Sequence, residues 1–176
     1  MRNVGAVLVA LVFSLLTTSA NAQSPPEIRI QAGGEFTGYG SVGGLGFYGG
    51  VAYAPFRMIS FGVVGAYAVT DVSCDSAYGD GCTLFASAFR FDGEVEFDPF
   101  KHHRVDPFIA ADFGAVGVYH DGTLWGPSAG GTTGLHVYPV DYLSIDAGLR
   151  VFWVATKDEP FLFVGFFLGV TPRIAF

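Results

Sequence analysis

The chain has 176 residues and a formal net charge of -7, with 51% hydrophobic but only 14% charged residues. The acidic balance excludes a nucleic-acid partner, which needs a basic face against phosphate. So few charges also disagree with an ordinary water-soluble domain, where about 25% of residues are charged.

The first segment reads as an export signal. Arg2 gives a positive start, Val4 to Leu16 is an uncharged apolar run, and Ala20-Asn21-Ala22 is a small-x-small cleavage site. The run is shorter than the about 20 apolar residues a spanning helix needs. The reading is a cleavable signal peptide over 1–22 and one mature domain over 23–176. No later stretch is apolar for long enough to span as a helix, so another element must carry the apolar groups.

Strand periodicity fills the mature sequence, and parity divides it into two faces. Over Glu27 to Tyr39, Ile28, Ile30, Ala32 and Phe36 oppose Glu27, Arg29, Gln31, Glu35 and Thr37. Over Leu45 to Ala54 the apolar face holds Leu45, Phe47, Val51 and Tyr53, and over Ser60 to Thr70 it holds Phe61, Val63, Tyr67 and Val69. Leu84 to Phe97 sets Phe85, Phe89, Phe91, Val95 and Phe97 against Arg90, Asp92, Glu94 and Glu96. Phe108 to His120 sets Ile109, Ala111, Phe113 and Tyr119 against Asp112 and His120. Ser128 to Tyr138 is weaker, with Leu135 and Val137 against Thr132 and His136. Leu143 to Thr156 sets Leu143, Ile145, Leu149, Val151 and Trp153 against Ser144, Asp146, Arg150 and Thr156. Phe161 to Phe176 alternates from Leu162 to Phe176 against Thr171 and Arg173. These segments predict an all-β, eight-stranded antiparallel up-and-down transmembrane β-barrel, each strand long enough to cross at a tilt.

The connections form two alternating sets. Residues 38–44, 71–82, 120–127 and 157–160 make one. Residues 54–57, 98–106 and 139–141 make the other, expected to face the periplasm together with both chain ends.

A soluble eight-stranded barrel also alternates, but with its apolar face inward. The polar face here has hardly any lysine, only Lys101 and Lys157, whereas a soluble exterior mixes charges of both signs. Mid-strand charges keep to one parity, and their opposite signs allow pairing in a narrow lumen. The expected lumen network is Arg90, Glu94, Asp112, Asp146, Arg150 and Arg173, drawn from a wider set that includes Glu27, Arg29, Glu35, Asp92 and Glu96. Aromatic girdles are expected at the interfaces: Tyr53, Phe56, Phe97, Phe100, Phe108, Tyr142 and Phe176 at one, and Tyr39, Tyr67, Tyr119 and Trp153 at the other.

The ending Val170-Thr-Pro-Arg-Ile174-Ala-Phe176 resembles the C-terminal signature of bacterial outer-membrane proteins. With Asp106-Pro-Phe-Ile-Ala-Ala-Asp-Phe-Gly114 and Tyr142-Leu-Ser-Ile-Asp-Ala-Gly-Leu-Arg150, it makes residues 27–176 resemble the outer-membrane protein A-like family of eight-stranded barrels. The resemblance is architectural and covers the whole mature chain. It implies a bacterial outer-membrane location, contact with outer-membrane lipid and lipopolysaccharide, and recognition of Phe176 by the barrel-insertion machinery. It does not imply peptidoglycan binding, because the soluble domain that some relatives carry is missing here. A monomer is expected.

Chemistry-bearing motifs all have plainer readings. Cys74 and Cys82 flank a loop sequence and enter an oxidising compartment, so a disulfide is expected, with a metal site as the weaker alternative. Gly38-Tyr-Gly-Ser-Val-Gly43 matches a dinucleotide fingerprint as a string, but a strand rather than a helix follows it. Asp71, Asp75 and Asp80 fit no known calcium loop. Lys101-His-His-Arg104 reads as a solvated turn, with a lipid-phosphate contact second. His136, Asp146 and Glu94 suggest an acid–base site, but His136 has lumen parity, while Ser87 has lipid-facing parity and no histidine partner. The expectation is therefore no enzyme, no catalytic residue, no cofactor and no metal. The function expected is structural or recognition through outer loops, above a closed lumen. The alternative is a narrow pore or conduit for small hydrophobic molecules, suggested by Gly62, Ala66, Ala68, Gly114 and Gly148 on the lumen face. A lipid A-modifying enzyme ranks third.

Overall fold

The computed structural model of the chain describes residues 25–39, 42–56, 58–73, 83–100, 104–119, 123–155 and 160–176. The expected signal peptide, Cys74, Cys82, Asp75, Asp80 and Lys101 to His103 lie outside these residues. Eight strands follow in order: β1(Glu27–Tyr39), β2(Val42–Phe56), β3(Ile59–Ser73), β4(Thr83–Phe97), β5(Val105–Tyr119), β6(Thr123–Val140), β7(Leu143–Val154) and β8(Phe161–Ala175). Each pairs antiparallel with the next, and β1 also pairs with β8, so the sheet closes into a barrel. The seam runs from Glu27 opposite Ala175 to Gly38 opposite Val164.

Strand order, count and parity agree with the sequence reading, while most connections are shorter than expected. Asp106 is already in β5, opposite His136, and Pro127 lies within β6, opposite Ala115. Gly38 pairs with Gly43 and Tyr39 with Val42, which makes the fingerprint-like string a hairpin. Glycine, proline and aspartate mark turns by composition, but a closed ladder carries them while hydrogen bonds on both sides hold the strand.

Large apolar residues face outward on all eight strands. Leu45 is 73% exposed, Phe47 64%, Phe113 61% and Phe166 62%. Inward residues include Glu35, Arg90, Asp92, Glu94, Glu96, Asp112, Asp146 and Arg150, all buried. This surface is inverted with respect to a protein in water, and a bilayer satisfies it. No helix among the described residues is long and apolar enough to cross a membrane; the chain has strands for that task.

Most described members of the expected girdles are exposed at strand ends, among them Tyr53, Phe56, Phe100, Tyr142 and Phe176 at one rim and Tyr119 and Trp153 toward the other. Phe108 is a correction: it is buried in the lumen at 4% exposure. Its own parity explains this, since Ile109 beside it faces outward at 59% exposure.

The charged lumen as candidate functional site

The bore is filled in layers by inward-facing residues from strands around the ring. Nearest the rim away from both chain ends, Val116, Phe152 and Val154 form an apolar cluster, with Val118 and Phe163 packed against it. The Phe152 and Phe163 rings stack at 5.0 Å between centroids. Below them lies Arg90, whose guanidinium sits 4.9 Å over the Phe152 ring. It pairs with Asp92 on its own strand at 2.6 Å and with Glu35 on β1 at 3.3 Å.

Arg150 occupies the middle. Its Nη1 lies 3.5 Å from Glu35 Oε2 and its Nη2 lies 3.4 Å from Glu94 Oε2. Its Nε donates to Thr132 Oγ1 at 2.8 Å, and that hydroxyl donates in turn to Asp112 Oδ2 at 2.7 Å. The guanidinium carbon stands 5.3 Å from the Phe167 ring centre and 5.8 Å from that of Tyr48. Such a planar cation satisfies carboxylates at its edge while its faces meet aromatic rings.

Tyr48, Val64, Phe108 and Phe167 make a second apolar cluster at this level. Glycines opposite create the space for them. A Cβ on Gly148 would lie 2.7 Å from Phe167 Cε1, and one on Gly33 would lie 2.7 Å from Tyr48 Cε1. At Gly33 and Gly148 neighbouring rings occupy the space the small residue leaves, whereas Ala66 and Ala68 border the small space beside Arg90. Among the described residues, the enclosed spaces include one of about 30 Å³ beside Arg90 and one of about 10 Å³ beside Arg150. The larger is on the scale of a water molecule or two.

The floor, near the rim that holds both chain ends, is the most acidic layer. Arg29 pairs with Glu27 at 2.7 Å and also with Glu96, and its Nη2 lies 3.7 Å from Asp98 Oδ2. Arg173 pairs with Glu27 at 2.6 Å across the seam and sits 4.7 Å over the Tyr138 ring. His136 Nδ1 lies 2.7 Å from Asp146 Oδ1, and Nε2 lies 3.4 Å from Glu96 Oε2. The Phe108 ring stacks on the imidazole at 4.2 Å. Thr171 donates to Asp146, and Ser60 donates to Glu96 at 3.4 Å. Asp98 follows the end of β4 and is 1% exposed. Burial pushes its carboxyl up, to about 6, against the pull of His136 and Arg29.

All six residues of the expected network line the lumen, but not as one cluster. Arg90 stands in the upper layer; Glu94, Asp112 and Arg150 meet in the middle; Asp146 and Arg173 belong to the floor. Glu35 joins two of the arginines, and Arg29 with Glu96 holds the floor. The sequence reading assigned Asp98 and Asp106 to a turn, and both are fully buried in the floor. The signal for Asp106 was parity, two residues before Phe108 and six before Asp112.

No family model matches the chain, and no curated protein matches it. Solved structures do. Neisserial surface protein A is 15% identical, with a TM-score of 0.62 over 87% of this chain and 98% of that one. The outer membrane protein OprG from Pseudomonas aeruginosa is 7% identical, with a TM-score of 0.59 over 88% of this chain and 98% of that one. The N-terminal β-barrel domain of OprF, also from Pseudomonas aeruginosa, is 14% identical, with a TM-score of 0.57 over 86% of this chain and all of that one. What they share with this chain is the closed eight-stranded fold.

Proposed function

We propose, from the fold this chain shares with the eight-stranded outer-membrane barrels, that it is a bacterial outer-membrane protein with a closed lumen, serving a structural role or recognition through its outer loops. The observation that carries the reading is Arg150 in the middle of the bore, between Tyr48 and Phe167 and reaching both Glu35 and Glu94. A conducting bore needs a continuous aqueous path, and the cations that would line it here are engaged with carboxylates and rings. Eight strands leave an interior about wide enough for side chains.

The same contacts weigh against catalysis. Hydrolysis by a histidine needs a hydroxyl for it to activate. His136 meets carboxylates at both ring nitrogens, under the Phe108 ring. Lipid and lipopolysaccharide are the proposed surroundings of the outer wall. Phe176, exposed at the end of the last strand, is the proposed handle for the insertion machinery.

Solute efflux from liposomes holding the refolded barrel tests the reading, with folding checked by a heat-dependent gel shift. Retention of a small sugar by vesicles with folded protein is expected. Size-dependent release would overturn the closed lumen and make the arginines pore-lining.

A further inference from the structure

Among the described residues, the floor of the lumen gathers buried carboxylates around a buried histidine. Glu27, Glu96, Asp98, Asp106 and Asp146 are all buried there. Among the described residues, Arg29 and Arg173 bring guanidiniums to that level. Burying unbalanced carboxylates is costly unless they are paired or hold a metal.

We propose that Glu96, Asp98 and His136 form a binding site for one divalent transition cation of the zinc type. One ligand atom from each lies within 4.8 Å of the others, and all three residues are buried. Ligands bound at 2.0–2.2 Å in a tetrahedron stand roughly 3.5 Å apart. His136 Nε2 and Glu96 Oε2 are already 3.4 Å apart, and Asp98 needs a side-chain movement on the order of an ångström.

Two further observations point to a ligand. Asp98 is 1% exposed, yet neither carboxylate oxygen makes a hydrogen bond, and its ion pair with Arg29 is long at 3.7 Å. His136 is held as metal-binding histidines are held. Its Nδ1–H donates to Asp146 at 2.7 Å, which fixes the ring and turns Nε2 toward Glu96. Nε2 makes no hydrogen bond there. With the Nδ1–H tautomer, a nitrogen lone pair faces a carboxylate oxygen, a repulsive arrangement that a cation between them reverses. One imidazole with two carboxylates favours zinc-type ions over calcium or magnesium, which take oxygen ligands. Asp146, itself held by Thr171, is a positioning residue for this site.

The competing arrangement is an imidazolium bridging Asp146 and Glu96, with no metal. The test refolds the full mature chain with zinc or with cobalt, dialyses it, and counts bound metal per folded chain. Expected are one zinc per chain and, for cobalt, the visible absorption of a four-coordinate ion. Asp98→Asn, nearly isosteric, should keep the heat-dependent gel shift and lose at least tenfold in zinc affinity. Asp146→Asn should lose about 10–100-fold, the range for a histidine-orienting partner. Zinc should also raise the urea midpoint of the wild-type barrel and leave that of Asp98→Asn unmoved. Folded wild type that retains no metal would establish the imidazolium arrangement and overturn the site. Metal retained equally by Asp98→Asn would place binding elsewhere and overturn it too. Neither result touches the closed lumen, which efflux reads separately.

Discussion

Arg150 Nη2 lies 3.4 Å from Glu94 Oε2, from the wall of β7 to that of β4, 56 positions apart in sequence. The same guanidinium reaches Glu35 of β1, 115 residues away. One side chain thus links three strands that are not sheet neighbours. Arg150→Ala leaves Glu94 without its arginine and Glu35 with Arg90 alone. Breaking a buried pair costs about 3–5 kcal/mol, so the urea midpoint of the refolded barrel should fall markedly. Adding Glu94→Gln to that variant should recover part of the loss, since the stranded charge is gone. An unchanged midpoint in Arg150→Ala would show that the pairs contribute nothing to stability.

The slots beneath the lumen rings are equally specific. Gly148→Ala sets a methyl 2.7 Å from the Phe167 ring edge and close to the Thr133 carbonyl. Overpacking of this kind costs about 1–3 kcal/mol. By contrast, a Cβ at outward-facing Gly93 meets nothing nearer than 3.7 Å, and Gly93→Ala should leave the urea midpoint nearly unchanged. Equal losses at the two positions would mean that strand propensity, not the ring, decides.

Depth in the bilayer should be readable on the outer wall. Phe113 is mid-strand on β5, while Tyr119 ends the same strand, and both face outward at 61% and 59% exposure. Phe113→Arg should destabilise the barrel by about 2–4 kcal/mol, and Tyr119→Arg by about 1 kcal/mol or less. Refolding yields in lipid of one thickness check this. Equal effects would place the hydrocarbon band elsewhere on the wall.

Ser73 and Thr83 are ladder partners at the end of the β3–β4 hairpin. Cys74 and Cys82 are the next residues along the chain on either side of the connection. Thiol titration of the exported protein, denatured without reductant, should find no free cysteine. Two free thiols would remove the expected disulfide.

Strand parity was legible in the sequence because lipid and lumen impose opposite chemistry on alternate residues. The limits of strands were less legible. Pro127 and Asp106 look like turn residues, yet both lie in ladders. Lumen partners were not legible, because Arg150 meets Glu35 only through barrel closure. The small residues were open to two readings for a related reason. Gly148 looks like a gap until the position of Phe167 on the neighbouring strand is known. The floor was obscured because the metal-ligand residue types that stand out in the sequence cluster in one connection, at Cys74, Asp75, Asp80 and Cys82, whereas Glu96, Asp98 and His136 come from two strand ends far apart in sequence.

The seam between β1 and β8 has a consequence for the journey before insertion. Until residues 27–38 meet residues 164–175, each partner strand presents an open row of backbone donors and acceptors, which invites pairing with other chains. The flanking side chains on one face are Ile28, Ile30, Phe36, Phe166, Leu168 and Val170, so the unclosed sheet shows water a wholly apolar side. Closure of the ring in lipid is therefore also what ends this chain's exposure to pairing with its own copies.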